Sequence, residues 1–215
     1  MFNRNFGIVL VIALAAGIGL VLAQKVFGPS ANDTADTRSI ILYPQARTLP
    51  DFSLSQSDGT RLIPGELKGH WSLVFLGFTA CPDVCPTTLT ELAQAQKQWE
   101  SLPDSLRPRV VFVSVDPERD TPSRLGEYAH AFHKDTLAAT AEVPSLERFA
   151  TSLGFVFQKV PGKHFDENPE DYSMDHSSSI AVLDPDGKLA GLIRPPFDPG
   201  AIAADLQLLT EKTAP

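Results

Sequence analysis

The sequence has no cluster of basic residues. Its 18 Lys and Arg are outnumbered by 26 Asp and Glu, and the formal net charge is -8. Because proteins that bind nucleic acids neutralise phosphates with clustered Lys and Arg, this composition argues against a nucleic-acid partner. The chain also lacks a glycine-rich nucleotide-binding motif and a serine-nucleophile elbow. The sequence therefore indicates neither a nucleotide-binding protein nor a hydrolase with a serine nucleophile.

Cysteine is nearly absent as well. The only two, Cys81 and Cys85, stand in the segment FTACPDVCPTT, and each is followed by a proline. Two thiols this close can form a structural disulfide, a redox couple or a clamp for a soft metal ion. A disulfide that closes so short a loop restrains little chain entropy, so stability alone is a weak reason for one.

The one long apolar run lies near the N-terminus. Residues 7–23 are uncharged and mostly apolar, with Arg4 before them and Lys25 after them. This length favours an uncleaved transmembrane anchor over a signal peptide cleaved before Gln24, because the apolar cores of signal peptides are about 7 to 15 residues long. By the positive-inside rule, the N-terminus stays in the cytoplasm and the rest of the chain is exported.

We therefore divide the chain into three parts. Residues 1–28 are predicted to be the anchor, and residues 29–48 a polar linker that contains one short strand or docking segment. Residues 49–215 are predicted to form a single folded domain, since 43% of the chain is hydrophobic and 20% is charged, as in ordinary globular proteins.

The domain has the pattern of an α/β fold. Two nearly continuous apolar runs, Trp71–Phe78 and Arg109–Val115, are typical of buried strands, and a helical pattern follows each. A third helix, a strand, an irregular acidic segment at 161–175, a hairpin and a last helix complete the order. This order predicts a thioredoxin-like mixed sheet with helices on both faces.

The cysteines stand between the first buried strand and its helix, where thioredoxin-like proteins carry their reactive thiols. A helix N-terminus lowers the pKa of a thiol, so we expect the thiolate form to be favoured here. Dithiol oxidoreductases usually have two intervening residues, whereas Cys81 and Cys85 have three. The wider spacing suits two sulfur ligands of one Cu(I) or Zn(II) ion, although two buried, inert thiols are the alternative.

A histidine is the usual further ligand of such a copper site. His176 stands just before the terminal hairpin, which packs against the active-site cysteines in thioredoxin-like folds. From the pattern alone, His176 is equally well a metal ligand or a hydrogen-bonded loop histidine. Asp175 could orient the imidazole, but a solvated carboxylate or a cap is an equally good interpretation.

The other candidates are weaker. His130 and His133 stand three apart on a predicted helix without an evident third ligand, so a solvated helix face is the better interpretation. Met174 is a soft atom, but a packing role is favoured. The remaining candidates are expected at the surface: His70, His164 and the acidic stretch Asp166–Asp171, which could dock a basic partner.

Three segments carry a resemblance to a known family. GFTACPDVCPTTLTEL, VSVDPERDTP and MDHSSSIAVLDPDGK, in this order, closely resemble the Sco/SenC family of copper-binding proteins over about Leu49–Leu208. The resemblance implies a thioredoxin-like fold that binds Cu(I) or Cu(II) through Cys81, Cys85 and His176. It also implies that Asp116 supports the site without being a ligand.

The resemblance implies a function too. Such a protein is a metallochaperone, not an enzyme, that takes copper from an upstream donor and delivers it to the CuA centre of cytochrome c oxidase subunit II. With the anchor, the folded domain would lie in the periplasm on the bacterial inner membrane. Two alternatives remain: a thiol-disulfide reductase that uses Cys81 and Cys85 as a redox-active disulfide, and a copper or redox sensor. One departure is Ala80, where many family members have a polar residue.

Overall fold

The computed structural model describes residues 36–213, together with Gly17 and Gly19. The expected anchor, residues 1–28, lies outside the described residues apart from those two glycines. Within the part that is described, no helix is both long enough and apolar enough to cross a membrane.

Strands and helices alternate through residues 36–213. The strands are β1 (Ile40–Arg47), β2 (Leu54–Gln56), β3 (Arg61–Leu62), β4 (Ser72–Gly77), β5 (Arg109–Ser114), β6 (Leu137–Thr140), β7 (Phe157–Pro161), β8 (Tyr172–His176), β9 (Ile180–Leu183) and β10 (Leu189–Ile193). The helices are α1 (Val84–Trp99), α2 (Pro122–Phe132), α3 (Val143–Leu153) and α4 (Pro199–Thr213), with short 3-10 turns at Pro64–Leu67 and Asp104–Leu106.

Eight of these strands form one mixed sheet in the order β1-β10-β9-β4-β5-β6-β2-β3. β4, β5 and β6 are parallel neighbours because α1 and α2 cross over between them, whereas β9 runs antiparallel to β4. Every residue of β4 and β9 is buried, so both faces of the sheet centre are covered. The predicted thioredoxin-like α/β fold with a mixed sheet is confirmed.

The sheet begins inside the segment predicted to be the linker. β1 is the short strand expected there, and it pairs antiparallel with β10. The chain before β1 is held by Asp205 of α4, which is 3% exposed and accepts hydrogen bonds of 2.8–3.0 Å from the backbone N–H groups of residues 38–40. Structured chain therefore starts before Leu49.

The end of the segment predicted to be irregular, 161–175, is a strand. β8 pairs with β7 in a separate two-stranded sheet, here called the β7–β8 ribbon. Tyr172 and Met174 are buried and the residues between and after them are exposed, so the strand has the expected two-residue period. The prediction was wrong because the strand is short and follows a run of acidic residues. His176 therefore ends a strand instead of lying in a loop.

Replacement of Asp205 tests how strongly the N-terminal segment is held. Asp205→Ala leaves three buried or half-buried N–H groups without their acceptor, so we expect a loss of about 2–3 kcal/mol of unfolding free energy. Urea denaturation followed by circular dichroism measures it. Glu211→Ala, at an exposed position of the same helix, is the control and should change little. Equal stability of both variants would contradict the role of Asp205.

Candidate metal centre

Cys81 and Cys85 lie where β4 passes into α1. β4 ends at Gly77 and α1 begins at Val84, so Cys85 is in the first helical turn and Cys81 is in the loop before it. The first N–H groups of a helix have no partner inside the helix. One of them, the N–H of Cys85, donates to Sγ of Cys81 at 3.4 Å, which places the two cysteines side by side.

A buried carboxylate fixes the start of this loop. Asp120 is fully buried and accepts hydrogen bonds from the backbone N–H of Thr79 at 2.9 Å and from the hydroxyl of Ser114 at 2.6 Å. The hydroxyl of Thr79 donates to it as well. Because Ser114 ends β5, Asp120 ties the cysteine loop to the neighbouring strand. No local pattern in the sequence predicts this role of Asp120, although the residue belongs to the segment VSVDPERDTP.

Gly77 makes room for the sulfur of Cys85. A Cβ atom at this position would lie 2.9 Å from Sγ of Cys85 and 2.7 Å from the ring of Phe112. Both distances are shorter than van der Waals contact permits. A residue without a side chain is therefore required at the end of β4 if Cys85 is to point into the core.

His176 reaches the cysteines from the β7–β8 ribbon. Its Nε2 lies 3.6 Å from Sγ of Cys85, and its Nδ1 lies 3.1 Å from the carbonyl oxygen of Ser177. Since a carbonyl can only accept, Nδ1 carries the proton and Nε2 directs its lone pair at Cys85. The rings of Phe75 and Phe78 lie edge-on to the imidazole, with centroid distances of 5.9 and 6.1 Å.

The structure thus brings together the three residues that the sequence singled out. The two sulfur atoms and one ring nitrogen of Cys81, Cys85 and His176 all lie within 4.8 Å of one another, and neither cysteine is in a disulfide. Cys85 is fully buried and Cys81 is half-buried. Beside His176 an open groove of about 440 Å³ leads to solvent. Two sulfurs and an imidazole are a donor set that fits Cu(I) or Zn(II).

Burial controls the protonation of two of these groups. It raises the pKa of the Cys85 thiol well above its ordinary value, and the hydrogen bond with Cys81 raises it further. This reverses the expectation for Cys85, because the loss of solvation outweighs the favourable field of the helix N-terminus. Burial also lowers the pKa of His176, although the Ser177 carbonyl and the charge of Asp175 oppose the shift. In the absence of a metal, the site holds a neutral thiol beside a neutral imidazole.

Comparison with known proteins identifies the family. The family model for SCO1/SenC matches residues 42–211, which is most of the chain. The chain belongs to the SCO1/SenC family. A Stutzerimonas stutzeri protein named for copper binding is 35% identical over 184 residues, which are 83% of this chain and 86% of the relative.

Two further members of the SCO1/SenC family are similar to this chain. A mitochondrial SCO2 homologue of Bos taurus is 34% identical over 137 residues, and the match covers 64% of this chain but only 50% of the bovine protein. The solved structure of Bradyrhizobium japonicum ScoI with copper bound is 32% identical, with a TM-score of 0.67, and the match covers 75% of this chain and 99% of that structure.

The two acidic residues expected to support the SCO1/SenC site have different surroundings. Asp116 is 1% exposed and accepts hydrogen bonds from the hydroxyl of Tyr172 at 2.7 Å and from Nε of Arg119. It contacts the strand that carries His176, and not His176 itself. Asp175 is exposed, and a backbone carbonyl instead of its carboxylate orients the imidazole.

The weaker candidates lie elsewhere. Nε2 of His133 contacts Glu100 at 3.2 Å, and its Nδ1 accepts from the N–H of Asp135, so His133 has partners other than a metal. His130 is exposed, as expected for a helix face, and Met174 packs in the core. His164 is exposed, as predicted. His70 is half-buried and bonded to the carbonyl of Arg107, so the prediction that it lies at the surface is confirmed only in part.

A methyl group at position 77 should disturb the centre. We expect Gly77→Ala to destabilise the fold by about 1–3 kcal/mol, because Cys85 or Phe112 must move to admit the Cβ. Urea denaturation and the environment of Cys85 in NMR spectra measure the effect. Gly65→Ala, where the nearest atom is 3.9 Å from the added Cβ, is the matched control. A fully stable Gly77→Ala variant with an unmoved Cys85 would show that the site does not depend on Gly77.

The imidazole of His176 should titrate below the ordinary histidine pKa of 6.5 in the metal-free protein, because its burial disfavours the charged form. NMR detection of the ring nitrogens measures this directly. Because folding lowers the pKa of His176, the contribution of the neutral imidazole to the unfolding free energy is complete above pH 6.5. This contribution is lost as the pH falls through the folded-state pKa. His176→Asn should remove this part of the acid sensitivity. A pKa at or above 6.5 would contradict the expectation.

Proposed function

We propose that this protein is a copper chaperone that binds one copper ion through Cys81, Cys85 and His176. The observation that carries the proposal is the grouping of two sulfur atoms and an imidazole nitrogen within 4.8 Å of one another. The copper-bound ScoI structure and the relative named for copper binding support the choice of metal. The family resemblance supports delivery to the CuA centre of cytochrome c oxidase subunit II.

The donor set suits copper in both of its common oxidation states. Two thiolates and a neutral imidazole give a net charge of about -1 with Cu(I) and about zero with Cu(II). The imidazole of His176 is already neutral, so it binds without losing a proton. The thiol of Cys85 must lose one, because its pKa is raised. Copper binding therefore releases at least one proton and strengthens as the pH rises.

The placement of the ligands favours transfer over storage. Cys81 is half-buried and lies in the loop, with Ala80 and Pro82 exposed on either side of it. A thiol or imidazole of another protein can approach copper along this loop and replace Cys81 while Cys85 and His176 still hold the ion. Ligand exchange of this kind moves copper without releasing the free ion.

The proposed location follows from the N-terminal sequence. Residues 7–23 are apolar and follow Arg4, which favours a single-pass anchor in the bacterial inner membrane with the N-terminus in the cytoplasm. The folded domain would then lie in the periplasm, where it would take copper from an upstream donor and meet the exposed domain of subunit II.

A thiol-disulfide reductase is the second candidate, since both cysteines are free and close together. Reductase turnover requires each thiol in turn to act as a thiolate nucleophile. The raised pKa of Cys85 makes its thiolate scarce in the metal-free protein. We therefore rank reduction of the subunit II cysteines below copper delivery as a function of this protein.

Copper titration of the reduced, full-length protein tests the proposal. We expect one Cu(I) per chain, and we expect Cys81→Ser, Cys85→Ser and His176→Ala each to weaken binding by more than about 100-fold, because each removes a ligand instead of a supporting contact. Competition with a Cu(I) chelator measures the affinity. His130→Ala, which changes an exposed histidine on α2, is the control and should bind normally.

Two outcomes would contradict parts of this assignment. Wild-type affinity in His176→Ala would show that His176 is not a ligand. If the protein bound no copper and His176→Ala still reduced a disulfide substrate at the wild-type rate, the reductase would be favoured over the chaperone.

A further inference from the structure

His176 and the cysteines stand on parts of the fold that share no strand pairing. The cysteines follow β4 in the main sheet, whereas His176 ends β8, whose described pairing is with β7 alone. Backbone hydrogen bonds of the main sheet therefore do not set the distance between Nε2 of His176 and Sγ of Cys85. That distance depends on how the β7–β8 ribbon is held against the rest of the domain.

Three residues hold the other end of β8. The hydroxyl of Tyr172, the first residue of β8, donates to Oδ1 of Asp116 at 2.7 Å. Nη1 of Arg119 donates to the carbonyl oxygen of Tyr172 at 3.1 Å, while its Nε donates to Oδ2 of Asp116. We call Asp116, Arg119 and Tyr172 the clasp. Both Asp116 and Arg119 lie in the connection between β5 and α2, so the clasp joins the ribbon to the main sheet.

The surroundings of the clasp strengthen its ion pair and its contacts with Tyr172. Asp116 is 1% exposed and the side chain of Arg119 is 18% exposed, so solvent screens the ion pair only weakly. The guanidinium carbon of Arg119 also lies 3.7 Å from the centroid of the Tyr172 ring, at cation–π distance. Tyr172 is therefore held through its hydroxyl, its ring and its backbone carbonyl at the same time.

The clasp also contacts the surroundings of His176 directly. The guanidinium carbon of Arg119 lies 5.8 Å from the ring centroid of Phe78, and the same ring meets the imidazole of His176 edge-on. Arg119 thus touches β8 at its start and touches the aromatic wall that His176 packs against at its end. A ribbon that lifted from the domain would have to break the contacts of Arg119 with Tyr172 and the contact of Phe78 with His176.

We propose that the clasp positions His176, so that the third ligand stays beside the cysteine pair only while Asp116, Arg119 and Tyr172 remain joined. Arg119 is the central positioning residue, because it alone contacts both other members of the clasp and the wall of the site. The role of the clasp in copper binding rests on the function proposed above. Its role in holding the ribbon does not, and can be measured without metal.

The test compares clasp variants with a variant at an exposed neighbour on the same strand. Tyr172→Phe removes only the hydroxyl, and Arg119→Gln removes the ion pair. Ser173→Ala is the control, because Ser173 follows Tyr172 on β8 and its side chain is exposed. All are made in the full-length protein, reduced and free of metal.

Amide hydrogen exchange and alkylation of Cys85 by iodoacetamide are the metal-free measurements. We expect both clasp variants to exchange the β7–β8 amides about tenfold faster or more, since each loses a hydrogen bond to a buried charge. Cys85 should be alkylated faster too, because His176 no longer covers it. The β4 and β5 amides should be unchanged, as should every measurement in Ser173→Ala.

The copper-loaded protein gives the second measurement. Clasp variants should bind Cu(II) with a weaker imidazole signature in electron paramagnetic resonance, while both sulfur ligands remain. Wild-type ribbon exchange and wild-type Cys85 alkylation in Tyr172→Phe and Arg119→Gln would overturn the proposal. So would equally faster exchange in β4 and β5, which would mean that the residues only stabilise the whole fold. If the wild-type protein bound no copper, the proposed function would fail while the ribbon result would stand.

Discussion

The centre depends on one close approach, between a buried thiol and a neutral imidazole that stand 91 residues apart in the chain. Each group alone would be an ordinary buried polar side chain. Placed at 3.6 Å with Cys81 beside them, they form a largely buried site in which neither group carries charge in the absence of a metal. A bound cation would supply the charge that favours the thiolate, whereas burial alone keeps the thiol protonated.

The connection after β5 serves both halves of this approach. Asp120 holds the loop that precedes Cys81, and Asp116 holds the strand that ends at His176. The parallel pairing of β4 with β5 makes this possible, because it places the carboxyl ends of the two strands at the same edge of the sheet. Two buried carboxylates four residues apart thus act on Cys81 and His176, which are distant in the chain.

The sequence could predict the parts that depend on local pattern. Apolar runs located β4 and β5, and the three-residue gap between the cysteines favoured a pair of metal ligands over a dithiol oxidoreductase. Contacts between residues that are distant in the chain could not be predicted from local pattern. Nothing local shows that Tyr172 meets Asp116, or that Asp120 meets Thr79. For the same reason the pKa of Cys85 was predicted in the wrong direction, since burial is decided by the whole fold.

The two edge strands of the eight-stranded sheet are interrupted or short. The outer strand on one side, β1, contains Pro44, which has no N–H, and its pairing shifts register between Leu42 and Arg47. The outer strand on the other side, β3, has only two residues. A strand from a second molecule would find little backbone to pair with, so aggregation through the sheet is disfavoured. An encounter with another protein at the cysteine loop would therefore meet little competition from edge-to-edge association of the sheets.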